Sequence, residues 1–318
     1  MELPIGLKSI IEEMASEIET KKLTSASRNI TEKYKNESGN GKRLVSDTAE
    51  TAAYATVRMP ATFGAVSSAL LWTKEHFGEE IHTILDVGAG TGAAGWAAAE
   101  IFDEAEKLTC IEREENMISF GSRLMEEGDF PLPYEWKKGD ISEEIPADKA
   151  DLVTASYVLN ELSEADCIKT AERLWSMTEK LLVIIEPGTV TGYNNIKKIR
   201  ERLVAMGGYI VAPCPQSGEC PLTGGDWCHF SARISRTRLH KLLKGGDVPF
   251  EDEKFSYIAF SRESVEEAER RILRHPKNES GHIGLTLCTK SGIENITVTK
   301  KDQKLFKKAR KASWGDEI

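Results

Sequence analysis

The sequence predicts an α/β fold: a doubly wound, Rossmann-like sheet with an N-terminal helical region and a cysteine-rich, metal-binding insertion. Three observations predict it. From Thr83 onward, apolar β-type runs alternate with helical stretches, the order of a parallel sheet covered on both faces. The first run ends in a glycine-rich turn that opens a helix. Further on, three cysteines fall within a short loop rich in proline and glycine.

Residues 1–80 form the helical region. Ile10, Ile11, Met14 and Ile18 share one helix face. The polar stretch Glu37–Lys42 breaks the pattern, and a second helical stretch, Asp47–Phe77, is interrupted at Met59-Pro60. Residues 81–192 form the cofactor-binding core. Its runs are Thr83–Val87, Leu108–Glu112, Ala150–Tyr157 and Leu181–Ile185, with helices at Ala93–Phe102, Met117–Glu127 and Glu164–Thr178. Residues 193–262 form the insertion. It begins with an amphipathic helix, Asn194–Met206, stopped by Gly207-Gly208. In residues 263–318, a helix near Ser264–Leu273 and a strand at Ile283–Thr289 precede a basic tail, and these strands are expected to complete the sheet.

The 318 residues carry 51 acids against 42 bases, a net charge of −9, so a chain-wide basic signature for nucleic acid is absent. The longest aliphatic run, Leu181–Ile185, is far short of the ~18 residues that span a bilayer, so no membrane partner is expected. The N-terminus is acidic and lacks signal or transit character, which makes the cytoplasm the expected compartment. Six cysteines are too few for a disulfide scaffold; in a reducing compartment a cluster of them more often binds metal.

The turn reads Leu85-Asp86-Val87-Gly88-Ala89-Gly90-Thr91-Gly92. Gly88, Gly90 and Gly92 allow a tight turn and close approach of a ligand to the backbone. With Ala93 the pattern also satisfies a loose dinucleotide fingerprint. Three carboxylates favour S-adenosylmethionine instead. Asp86 is placed to hold the ligand's ammonium end, where a nicotinamide-binding turn would normally have an apolar residue. Glu112 ends the next strand, where it can accept both ribose hydroxyls, and Asp140 follows the third expected strand, near the adenine amine. The competing reading makes Asp86 and Glu112 caps and the glycines mere turn formers.

A methyl acceptor would face the loop Ser156-Tyr157-Val158-Leu159-Asn160-Glu161-Leu162, beyond a strand C-terminus. The loop lacks the Asn/Asp-Pro-Pro-aromatic signature of base-amine methylation. Cys167 lies mid-helix and Cys110 inside a strand, so neither suits carbon methylation through a thiol nucleophile. Asn160 and Glu161 could position an acceptor or cap a helix. No residue stands out as a general base, and the catalytic assignment stays open.

Cys214, Cys220 and Cys228 are spaced Cys-x5-Cys-x7-Cys. Thiolates are soft metal donors, and a fourth ligand is needed: Cys288 or His229. Four thiolates suit either zinc or a 4Fe-4S cluster, and the wide spacing leans toward the cluster. Two basic patches could meet phosphates: Arg233, Arg236, Arg238, Lys241 and Lys244, and a second of seven bases within residues 300–311. Either is also compatible with an ordinary solvated face.

Several motifs together resemble the methyltransferase-like family of the mitochondrial small ribosomal subunit, which has bacterial and archaeal relatives. They include Tyr54 with Arg58-Met59-Pro60-Ala61-Thr62, the glycine turn, Ala155–Leu162, and Glu186-Pro187-Gly188-Thr189. The most specific run from Pro213-Cys214-Pro215 through Cys220-Pro221 to Trp227-Cys228-His229-Phe230. Glu251–Tyr257, Gly281–Cys288 and Trp314-Gly315-Asp316 complete the set. The resemblance implies an adenosylmethionine-type fold and action on the small ribosomal subunit or its rRNA, in assembly or translation. It also implies a 4Fe-4S site on Cys214, Cys220, Cys228 and Cys288. The resemblance also covers proteins that act as assembly factors rather than enzymes. The mitochondrial members carry an import segment; its lack here is read as a prokaryotic cytoplasm. The expected protein is therefore a methyltransferase-like, rRNA-binding protein whose metal group braces the far edge of the sheet and presents the basic segment at 233–244. The alternatives are a non-catalytic assembly factor with a vestigial pocket and a small-molecule methyltransferase with a structural zinc.

Overall fold

The computed structural model describes residues 2–36, 45 and 47–318. The expected break at Glu37–Lys42 lies outside them. The N-terminal helices are α1 (Ile5–Ser16), α2 (Thr20–Asn36), α3 (Thr48–Val57) and α4 (Met59–Lys74). α1 buries Leu7, Ile10, Ile11, Met14 and Ala15, the face marked by its apolar spacing. α4 is buried almost all round, because Gly64 lets it close on Ile234 and Trp72 stacks on Phe255 and Tyr257 of the sheet. The helical region is thus part of the main core.

The core elements follow as β1 (Thr83–Val87), α5 (Ala93–Ile101), β2 (Lys107–Glu112), α6 (Glu115–Glu127), β3 (Tyr134–Lys138) and β4 (Ala150–Ser156). A 3-10 turn at Leu159–Glu161 leads to α7 (Glu164–Met177), β5 (Thr178–Pro187) and α8 (Val190–Ala205). Then come β6 (Tyr209–Ala212), β7 (Phe230–Ser235), α9 (Arg238–Lys244) and β8 (Phe250–Ser261). Among the described residues they form an eight-stranded sheet in the order β3-β2-β1-β4-β5-β8-β6, with β7 also on β8. β1 to β5 run parallel and β8 is antiparallel to β5, β6 and β7. The direction of winding reverses between β1 and β4, so their C-terminal ends open the crevice where such sheets take ligands.

Two expectations are corrected here. Residues 193–262 are not a separate insertion, since β6, β7 and β8 belong to the main sheet; only the cysteine loop between β6 and β7 stands apart. The C-terminal strands do not complete that sheet. β9 (Arg270–Ile272), β10 (Lys277–Glu279), β11 (His282–Thr289) and β12 (Gly292–Thr299) form a four-stranded antiparallel sheet, followed by α10 (Gln303–Ala309). It has a small core of its own around Ile272, Ile283, Leu285, Leu287 and Val298. The helix expected near Ser264–Leu273 is absent, and β9 takes its end. Arg271 is drawn into the interior by the carbonyls of Pro213 and Gly315, which commits this segment to an extended path.

Candidate cofactor cleft and thiol cavity

The glycine turn sits at the crevice. Gly88 and Ala89 donate their amides to the Ile111 carbonyl, locking the turn onto β2. Gly88, Gly90 and Gly92 all have φ in the left-handed region, at 73°, 56° and 89°. A Cβ at Gly88 would stand 2.6 Å from Val158, and one at Gly92 would stand 2.7 Å from Met125. At Gly90 the same atom would meet only the Tyr54 ring, 3.7 Å away at its hydroxyl, so the turn itself forms the cleft floor.

Gly88, Gly90 and Glu112 line a cavity of about 120 Å³ with Tyr54, Arg58, Arg113, Tyr157, Asn160 and Glu161. Glu112 is almost fully buried. Its Oε2 accepts from the Gly90 amide at 2.8 Å, and its Oε1 from the amides of Arg113 and Glu114 at 2.8 and 2.9 Å. Burial raises its pKa, and those amides pull the other way. Three of the roughly four lone-pair directions of this wall carboxylate are therefore taken, which leaves one.

Asp86, Gly92 and Asp140 are not on the cavity wall. Asp86 lies fully buried beneath the turn, where Oδ1 accepts from Thr154 Oγ1 at 2.9 Å and ties β1 to β4. Burial pushes its carboxyl up to about 7, against the Thr154 hydroxyl and the Gly95 amide. Asp140 folds back on Ser142, accepting from its amide and hydroxyl; burial opposes ionisation there, but these bonds and Arg113 hold its pKa below the usual value. Arg113 pairs with Glu114 at 3.3 Å, Glu161 at 3.4 Å and Asp140 at 3.8 Å. Burial lifts Glu161 to about 7, with Arg113 opposing.

The loop after β4 carries a feature the motifs did not mark. Tyr157 has φ 59°, a strained position for a bulky side chain of the kind that concentrates at functional sites. The turn behind it is held by Glu186, fully buried, which accepts from the Leu159 amide at 3.1 Å. Asn160 Oδ1 is buried without a hydrogen-bond partner. Tyr54, Arg58, Asn160 and Pro187 also line a neighbouring cavity of about 580 Å³ against α2 and α3. A cavity on this side has no local sequence signal, because α2, α3 and the Pro187–Gly192 segment build it jointly.

Cys214, Cys220, Cys228 and Cys288 all line a second, small cavity of about 30 Å³ between the main sheet and the C-terminal one. Cys288 comes from β11, while the other three come from the loop after β6. Burial raises the pKa of Cys214, Cys228 and Cys288, and each thiol feels its neighbours. Tyr193 lies 3.3 Å from the Cys220 sulfur. Among the described residues, no three of these sulfurs lie within 4.8 Å of one another. His229 is not on this cavity's wall; it stacks on Trp227 at 4.9 Å and packs edge-on against Trp314 at 4.8 Å. Cys110 and Cys167 are buried elsewhere in the core.

The two basic patches differ. Arg233 pairs with Asp252 at 2.7 Å, and Arg236 and Lys244 pair with Glu251 at 2.7 and 2.6 Å. Three of the five bases in the segment at 233–244 are thus paired with two carboxylates of β8, while Arg238 and Lys241 make no ion pair among the described residues. In the second patch Lys300, Lys301, Lys304, Lys307, Lys308, Arg310 and Lys311 are all exposed on and around α10.

A family model described as mitochondrial small ribosomal subunit Rsm22 matches residues 48–318. The chain belongs to the Rsm22 family. Among its relatives is the human mitochondrial ribosome assembly protein METTL17, 28% identical, with 83% of this chain and 61% of that protein covered. Another is the fission yeast Rsm22-cox11 tandem protein 2, also mitochondrial, 26% identical over 73% of this chain and 38% of that one. The chain thus spans about three fifths of the first relative and less of the second. A similar solved structure is the magnesium protoporphyrin IX methyltransferase of Synechocystis PCC 6803 with bound SAM. It shows 14% identity and a TM-score of 0.42, with 73% of this chain and 91% of that one covered. The expected cytoplasmic location is overturned by these matches, because the Rsm22 family's description and both named relatives are mitochondrial.

Proposed function

We propose that this Rsm22-family chain is an adenosylmethionine-binding, methyltransferase-like protein that acts on the small ribosomal subunit and contains a structural four-thiolate metal group. The observation that carries the cofactor reading is the glycine turn with Glu112 on the wall of the crevice between β1 and β4. The strand order, with antiparallel β8 beside β5, is the arrangement associated with adenosylmethionine-dependent methyltransferases. Gly88 and Gly90 would floor the site, and the free lone pair of Glu112 would accept a ribose hydroxyl. When bound, adenosylmethionine supplies an electrophilic methyl group. Asp86 then serves from beneath by tying β1 to β4, and Asp140 by bracing its own loop on Ser142. An acceptor would occupy the larger cavity, where Asn160 Oδ1 offers a hydrogen-bond acceptor to an N–H group.

The human relative METTL17, a mitochondrial ribosome assembly protein, and the family's small-subunit description support the ribosomal reading. The exposed bases around α10, rather than the mostly paired segment at 233–244, are the face suited to rRNA phosphates. A non-catalytic assembly factor is favoured by one observation: the Glu112 carboxylate is largely satisfied by the protein's own amides.

The metal reading rests on donor chemistry and spacing. A tetrahedral zinc with Zn–S near 2.3 Å needs sulfurs about 3.8 Å apart. The four thiols line one cavity, a donor set that suits either zinc or a 4Fe-4S core, and the family resemblance favours the cluster.

Calorimetric titration with adenosylmethionine tests the cleft. Wild type is expected to bind, and Glu112→Gln to bind about 10-fold or more weakly, a loss of about 1.4 kcal/mol or more. Undetectable binding to wild type would sink the cofactor reading. Methyl transfer to purified small subunits then separates enzyme from assembly factor.

A further inference from the structure

Two arginines are buried against the thiol cavity without a carboxylate to balance them. Arg200, on α8, is 3% exposed, and Arg271, in the middle of β9, is 0% exposed. Both line the cavity. Arg200 Nη2 donates to the Gln216 carbonyl at 2.8 Å. Arg271 donates from Nε to the Pro213 carbonyl at 3.2 Å and from Nη1 to the Gly315 carbonyl at 3.0 Å. Arg200 Nε and Arg271 Nη2 have no hydrogen-bond partner.

Carboxylates lie near only one of the two cations, Arg271 (Glu75, Asp316 and Glu317), and none is at ion-pair distance. Among the described residues neither guanidinium makes an ion pair. Glu75, an exposed carboxylate, influences Arg271 only from beyond ion-pair distance. Arg274, which also faces Cys228, is already paired with Asp226, and Lys197 on the cavity rim is half-exposed to solvent. What both buried cations do face is sulfur: each bears electrostatically on Cys214 and on Cys288.

A buried ion is strongly disfavoured unless paired. Four neutral thiols cannot balance two guanidiniums. Four thiolates around a core of two positive charges, whether zinc or an oxidised 4Fe-4S core, leave two net negative charges. That matches the two cations.

We propose that Arg200 and Arg271 are the built-in counter-ions of the four-thiolate group, and that through Arg271 and Cys288 this group controls docking of the C-terminal sheet on the core. The inference rests on the four-cysteine reading above. The geometry favours the docking half because Arg271 and Cys288 both lie on the C-terminal sheet, while Arg200 and the other three cysteines lie outside it. Arg271 spans the junction directly, bonding the Pro213 carbonyl beside Cys214 and the Gly315 carbonyl, where the chain packs on Trp72.

The test uses the full chain purified anaerobically, as wild type, Arg200→Gln, Arg200→Lys and Arg271→Gln. Metal and sulfide per chain, the rate of metal loss to a chelator, and protease cleavage within residues 263–318 are measured. If iron and sulfide are found, the reduction potential is added. Both Gln variants are expected to release metal at least tenfold faster than wild type, with Arg200→Lys close to wild type because it keeps the charge. In an iron–sulfur protein the Gln variants should also shift the potential downward, since losing a cation disfavours the reduced, more negative group; a tenfold change in that equilibrium is 59 mV for one electron. Arg271→Gln should speed cleavage of the C-terminal sheet. A metal-loaded wild type whose Gln variants hold metal equally long, with an unshifted potential, overturns the counter-ion inference alone. A wild type without bound metal overturns the four-thiolate reading and this one with it.

Discussion

The cofactor cleft and the thiol cavity solve the burial of polar groups in opposite ways. In the cleft, Glu112 is occupied by three backbone amides and Asp86 by Thr154. What stays unpartnered there, Asn160 Oδ1 and Asp86 Oδ2, are single acceptor oxygens rather than buried cations. In the thiol cavity, two guanidiniums retain unpartnered N–H groups, and burial opposes ionisation of three thiols. That cavity is electrostatically incomplete without an anionic group. On the proposed reading the first site tolerates an empty state, and the second depends on its metal group for stability.

The largest effect that could break this comparison is removal of one thiol. Cys288→Ser deletes the one proposed donor that comes from the C-terminal sheet. Bound metal is expected to fall to a small fraction of wild type, with a stability loss of about 3 kcal/mol or more, because binding energy at structural metal sites is folding energy. Metal analysis and denaturant unfolding check it. If Cys288→Ser keeps full metal and wild-type stability, the cavity is an ordinary core pocket and the contrast with the cleft disappears.

The cleft should fail through its backbone instead. Gly88→Ala forces a Cβ to 2.6 Å from Val158 at φ 73°. The expected cost is about 2 kcal/mol of stability, with loss of adenosylmethionine binding and with metal content unchanged. Equal loss of metal in this variant would show the two sites to be one cooperative unit.

The difference between the sites also explains what could be read from the residues alone. The cleft is local: a strand, a glycine turn and the carboxylate ending the next strand are consecutive in sequence, so Gly88, Gly90 and Glu112 were legible and do share a wall. Asp86 and Asp140 carried the right residue types, but burial under the turn and a fold-back onto Ser142 set their positions, and neither is encoded in spacing. Cys214, Cys220 and Cys228 read as a thiol cluster in a proline- and glycine-rich loop, while the fourth ligand stayed open between Cys288 and His229 and the full set came only from the family resemblance. The guanidiniums beside them were not legible. Arg200 reads as part of a solvated helix face, and Arg271 reads as part of a charged helix, until β9 pairs with β11 and turns it inward. The second sheet was missed for the same reason: it depends on long-range pairing between short strands.

The smallest expected effect concerns pH and sharpens the claim that the cleft tolerates its own buried acids. Burial pushes Glu186 up to about 8, against the Leu159 amide and Asn195, and pushes Asp86 up to about 7. A carboxyl whose folded pKa lies above its unfolded one holds its proton longer in the native state. Its contribution is therefore full below about 4.5 and is lost as pH rises toward 8. Glu251 works in the opposite sense, because His240, Lys244 and Arg236 overcome its burial and hold it far below the usual range, but it acts only under pH 4.5. His229, depressed by burial, opposes the trend below about 6.5. Glu186→Gln keeps an acceptor for the Leu159 amide and cannot ionise, so these other groups cancel when the variant is compared with wild type. Between pH 5 and 8 the variant should lose less stability than wild type, by on the order of 1 kcal/mol. Parallel stability–pH curves for the two proteins would mean that Glu186 stays ionised throughout, held by hydrogen bonds stronger than its burial.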